Sequence, residues 1–144
     1  MFFSLFILLS CGNNTRDWPR IDLPFNKSEL YKATIDYEMK PFGKNNENKV
    51  DYIEVLNENA LLELYSSIEK FPYKEVKGKK INTTDYFVRI QIVLFYKDAE
   101  GAKEYIITFY SYGVTKGYII FENEDVYYIP GDFSSAVYER NRVK

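Results

Sequence analysis

The chain has 144 residues, enough for one domain that buries about two-thirds of the surface its unfolded form exposes. Its 19 Lys and Arg against 21 Asp and Glu give a formal charge of −2, without the basic excess that displaces phosphate counterions, so nucleic acid is not an expected partner. Histidine is absent and cysteine occurs once, which excludes His-dependent triads, His or Cys zinc sites, haem with a histidine ligand and intrachain disulfides.

The chain opens with Met1 to Leu9, MFFSLFILL, in which Ser4 is the only polar residue and no charge occurs. As helix, the ten residues ahead of Cys11 would reach ~15 Å, about half of a ~30 Å hydrocarbon core. That is too short to span, but it suits the apolar region of a secretory signal. Leu8-Leu9-Ser10-Cys11 follows, then Gly12-Asn13-Asn14. These residues resemble the lipobox of bacterial lipoproteins: Leu at −3, a small residue at −1 and Cys at the cleavage site. The resemblance implies that the Cys11 thiol receives a diacylglycerol, that residues 1–10 are removed as a signal peptide, and that the new amino terminus is acylated, palmitate being a typical chain. It implies a lipid-anchored protein of the cell membrane or outer membrane, extracytoplasmic, whose first partner is the membrane itself. Each buried CH₂ contributes ~0.8 kcal/mol, so two or more chains hold where one would not. Two features depart from the pattern: Leu9 at −2 is bulky, and no basic residue precedes the apolar run. The alternatives are an ordinary signal with an incidental Cys, or a buried strand.

Residues 11–20 are expected to form a tether, polar from Asn13 to Asp17 and interrupted by Pro19. Trp18, the single tryptophan, suits either a lipid interface or the edge of the domain. Residues 21–144 are expected to form a single α+β domain. Leu30 to Met39 alternates apolar and polar residues and predicts a half-buried strand, and Val50 to Leu56 predicts a second. Asn57 or Asn59 is placed to cap a helix over Ala60 to Lys70, where Leu61, Leu64, Tyr65 and Ile68 form one apolar stripe and Pro72 marks the end. An antiparallel meander follows: Tyr86–Tyr96, a turn over Lys97–Lys103, Tyr105–Tyr112, a turn to Gly117, Tyr118–Phe121, a hairpin at Asn123-Glu124 and Val126–Ile129. Ser134 or Asp132 is placed to cap a short C-terminal helix. Strands gathered after one main helix predict the α+β class, an antiparallel β-meander with that helix packed on one face.

Aromatic residues dominate the composition: 14 Tyr, 11 Phe and 1 Trp, 18% of the chain. Tyr110, Tyr112, Tyr118, Tyr127 and Tyr128 fall on neighbouring predicted strands, where they serve either sheet packing or a face that stacks on sugar rings or peptide side chains. Glu122, Glu124 and Asp125 cluster at a predicted hairpin tip with Asp132 nearby, a solvated setting poor in the burial that raises a catalytic pKa. No EF-hand spacing, phosphate loop or nucleophile motif occurs, and Ser66, Ser67, Ser111, Ser134 and Ser135 have no histidine to activate them. Lys77, Lys79 and Lys80 make a short basic run broken by Gly78. No cofactor, metal site or catalytic residue is therefore expected, and Cys11 is the one assigned site residue.

The order Ile21-Asp22-Leu23-Pro24, the helix from Ala60, Tyr127-Tyr128-Ile129-Pro130 and a late Tyr138 is loosely similar to a group of small uncharacterised single-domain lipoproteins of Gram-positive bacteria. That group has no established activity to transfer. The expected function is a non-enzymatic envelope binding or interaction module with a protein or glycan partner. The competing expectation is a cell-wall glycan hydrolase working through a carboxylate pair.

Overall fold

In a computed structural model that describes residues 16–40, 47–78, 80–112, 117–122, 126–129 and 133–142, seven strands form one antiparallel sheet against which the main helix lies. Cys11 with the whole lipobox lies outside the described residues, as do Lys79, the Asn123-Glu124 turn, Asp125 and Asp132. The elements are β1 (Leu30–Met39), β2 (Lys49–Val55), α1 (Glu58–Glu69), β3 (Lys74–Glu75), β4 (Val88–Asp98), β5 (Gly101–Ser111), β6 (Gly117–Ile120) and β7 (Val126–Ile129). The sheet order is β2-β1-β4-β5-β6-β7-β3. Strands β4 to β7 form the expected meander. The β1–β2 hairpin extends it on one side, and the short β3 closes the other.

Side-chain alternation puts one apolar set on one face. Ile35 pairs with Ile92 and Ile92 with Ile107, and all three are fully buried. Across this layer lies α1. Its first turn is capped by Asn57, whose Oδ1 accepts from Ala60 N at 3.1 Å. Its stripe of Leu61, Leu64, Tyr65 and Ile68 is buried; full burial of each aliphatic side chain contributes ~1.5–3 kcal/mol. The helix ends at Glu69, ahead of Pro72, whose ring would crowd any continuation. The packing expected of the stripe is what the fold contains, an α+β domain with the helix on one face of the sheet.

Pro19 and Arg20, in the stretch expected to be tether, are bonded to the domain. Tyr73 N donates to Pro19 O at 3.0 Å, Ile21 N to Phe71 O at 3.1 Å, and Arg20 forms a bridge with Pro72. Ile21, Leu23 and Phe25 then enter the core, where Phe25 stacks on Tyr96 at 4.1 Å.

One turn and the C-terminal helix differ from expectation. Asp98 pairs with Gly101, so the loop between β4 and β5 is only Ala99-Glu100, much tighter than Lys97–Lys103. Gly101 adopts φ +121°, where a side chain would strain the backbone, and Asp98 Oδ1 accepts from Glu100 N at 2.8 Å. At the other end, the C-terminal helix is π-helical over Ser135–Glu139 and α-helical over Arg140–Arg142, and Ser134 makes no side-chain cap bond. Burial anchors this helix instead. Phe133, Val137 and Tyr138 are fully buried, Tyr138 stacks on Tyr37 at 3.7 Å, and its hydroxyl donates to Asp51 Oδ2 at 2.8 Å.

Candidate functional site

Because α1, residues 21–25 and the C-terminal helix all pack on the same face, the opposite face carries no helix among the described residues. Alternation places Tyr110 and Tyr112 of the β5 region, Tyr118 of β6 and Tyr128 of β7 on this open face, because register pairs Tyr110 with Tyr118 and Tyr118 with Tyr128. Tyr127, one residue from Tyr128, faces the other way. It packs on Tyr73 at 5.0 Å and Phe121 at 5.2 Å, against the helix-covered core.

The open-face rings form a row. Tyr112 meets Tyr118 at 6.1 Å, Tyr118 meets Tyr128 at 6.0 Å, and Tyr128 meets Trp18 at 6.1 Å, each edge to face. All four are half-buried. Trp18 thus caps the edge of the domain, with Lys74 Nζ 5.8 Å from its ring centroid, and it extends a row that sequence alternation reveals only as far as Tyr128. Next to it a cavity of about 390 Å³ is lined by Trp18, Pro19, Tyr73, Lys74, Glu75 and Tyr127. Tyr110 plays another part: it is buried under Tyr86, whose ring lies 5.4 Å away.

Tyr112 is held in place by its hydroxyl, which donates to the Asn82 carbonyl. Asn82 in turn organises the approach to β4, its Oδ1 accepting from Thr84 N at 2.9 Å and Asp85 N at 3.0 Å. Burial, aided by neighbouring Tyr110 and Tyr118, pushes the Tyr112 hydroxyl up to about 12, so it stays a neutral donor. Tyr86 is raised by burial and by its hydrogen bond to Glu38 at 2.8 Å, and Lys40 Nζ sits 4.0 Å over its ring.

Toward β1 the open face becomes charged. Arg89 reaches Asp36 at 3.3 Å and Glu38 at 3.7 Å. A glycosidase pair needs two carboxyls in a cleft with one kept protonated by apolar surroundings. Asp36 and Glu38 instead share one guanidinium on a solvent-facing sheet, with side chains 39% and 21% exposed. Of the carboxylates expected at the hairpin tip, Glu122 is described, and its Oε1 accepts from Ile106 N at 3.0 Å where β6 has ended. Ser67 is buried, and its Oγ accepts from Arg140 at 3.1 Å. Lys77 and Lys80 are exposed. Among the described residues, no group of three or more Asp, Glu, His or Cys is placed to hold a metal ion. The arrangement can stack flat apolar rings and donate hydrogen bonds from tyrosine hydroxyls. Comparison of the chain with family models, with curated proteins and with solved structures returns no match.

Proposed function

We propose that this chain is a lipid-anchored protein of the cell envelope, without enzymatic activity, that binds an envelope protein or glycan through the aromatic row of its open sheet face. The observation that carries this is the row itself: four half-buried rings, Trp18, Tyr128, Tyr118 and Tyr112, in edge-to-face contact on the face that α1 leaves bare. Amphipathic rings gain when a sugar face or an apolar side chain displaces water from them, and their hydroxyls supply directional bonds. Anchoring rests on Leu8-Leu9-Ser10-Cys11 and places such a face within reach of wall polymers and membrane partners.

Three measurements test the two halves. Wild type and Cys11→Ala are partitioned between detergent and aqueous phases; wild type should follow detergent and the variant should lose that preference. Equal partitioning of both into water would end the anchoring proposal. Co-sedimentation with insoluble wall glycan and capture from envelope extract are then compared for wild type, Tyr118→Ala and Tyr128→Ala. Loss of at least ten-fold in binding by variants that are fully folded at the assay temperature supports the row. Unchanged binding in both variants would remove it.

A further inference from the structure

Val50, Tyr52 and Leu56, exposed by 68%, 62% and 63%, stand out among the described large hydrophobic side chains, and all three belong to β2 or directly follow it. Among the described residues β2 is also the long unpaired edge of the sheet, seven residues without proline, whereas the opposite edge β3 is two charged residues. A long edge strand without proline offers a row of backbone groups to a further strand, whereas a two-residue edge offers almost none.

Backbone parity fixes which groups of β2 point outward. Lys40 N donates to Phe87 O at 2.8 Å, so the even-numbered residues of β1 turn toward β4. Their partners on β2, namely Val50, Tyr52 and Glu54, turn their N–H and C=O groups away from β1. The Tyr52 N–H accordingly bonds sideways, to Asp51 Oδ1 at 2.9 Å.

We propose that β2 is a self-association edge, pairing antiparallel with β2 of a second copy of this chain about a two-fold axis through Tyr52. Charge and register select this occupant. Centring on Tyr52 pairs all seven residues and sets Lys49 against Val55, Val50 against Glu54 and Asp51 against Ile53, with no like charges opposed. Centring on Asp51 or Glu54 sets a carboxylate against its own copy. The Tyr52 N–H passes from Asp51 to the carbonyl of the second copy, while Asp51 keeps the Tyr138 hydroxyl on its other oxygen. On the side of β2 toward the C-terminal helix a cavity of about 520 Å³, lined in part by Asp51, Ile53 and Arg142, leaves room beside the added strand. One strand pair buries little area, so the dimer belongs to the weak, concentration-dependent class.

The test uses the full chain in mild detergent with Cys11→Ser, so that one introduced thiol is the only one. Tyr52→Cys should be cross-linked to a covalent dimer by a short bismaleimide at least ten-fold faster than Glu104→Cys, an exposed control on β5. A mixture of Val50→Cys and Glu54→Cys should cross-link more than either alone. Tyr52→Pro, which removes the outward N–H, should shift sedimentation from dimer to monomer with an unchanged circular dichroism spectrum. Equal cross-linking of Tyr52→Cys and Glu104→Cys, or a monomer at every concentration, would overturn the proposal, and the edge would then be free for a different strand.

Discussion

Burial holds the hydroxyls of Tyr65 and Tyr138 in their neutral form, pushing each up to about 12 from the ordinary 10, with Glu69 adding to the effect at Tyr65 and Asp51 at Tyr138. Both donate hydrogen bonds, Tyr65 to Phe25 O at 2.5 Å and Tyr138 to Asp51 Oδ2 at 2.8 Å. The unfolded chain loses these protons near pH 10 while the folded chain keeps them. The associated stability is therefore intact below pH 10 and disappears as pH rises toward 12. Urea unfolding followed across that window should show a falling midpoint, and the fall should flatten in Tyr65→Phe and Tyr138→Phe. At lower pH each of these variants should be less stable by ~1 kcal/mol, the net value of one hydrogen bond. Tyr110 offers a contrast with its neighbour Tyr118. Buried under Tyr86, it should cost ~3–5 kcal/mol on change to Ala, by analogy with core Phe, whereas Tyr118→Ala on the half-buried row should cost well under half of that.

At the level of elements, α1 is the piece whose removal would open the core. Leu64→Ala should lower unfolding free energy by ~2–5 kcal/mol, and Asn57→Ala by ~1 kcal/mol through the lost cap. Guanidinium titration of both variants checks the order; a Leu64 effect below that of Asn57 would contradict the packing. The strands with clean alternation are legible in the sequence: β1 runs over Leu30–Met39 as its pattern predicts, and β4 keeps Val88, Ile90, Ile92 and Leu94 on one buried face. β3 was not legible, because two charged residues carry no period and gain their pairing from β7, far along the chain. The strand order was equally hidden, since β1 finds β4 across α1 through non-local contacts. At the candidate site, alternation separates Tyr127 from Tyr128, but only the long-range approach of Trp18 to Tyr128 completes the row. Gly117 is a further case. A Cβ there would overlap the Phe109 ring, which covers this glycine, and nothing local in the sequence announces that closeness.

For the whole molecule, the sheet order separates two kinds of edge. β2 ends one side with exposed Val50 and Tyr52; β3 ends the other, close to the bridge between Arg20 and Pro72. The aromatic row begins with Trp18 and runs inward over β7 and β6, so a ligand on the row lies on the β3 side of the sheet and away from β2. Beside that bridge is a small clasp: Pro19 and Ile21 bonded to Tyr73 and Phe71, with the Arg20 guanidinium on Lys70 O at 3.2 Å. This clasp has a mechanical meaning. A pull applied to the chain at Trp18 would first be borne by these few bonds, because they precede Leu23 and Phe25 and the side chain of Ile21 shares the load only with them. While they hold, the load passes to the segment between α1 and β3, and the apolar plug of Ile21, Leu23 and Phe25 stays seated. Once they part, Ile21, Leu23 and Phe25 are the next to be drawn out and Tyr96 loses the ring stacked on it, so a domain pulled from this corner should yield here before the β1–β4–β5 centre does.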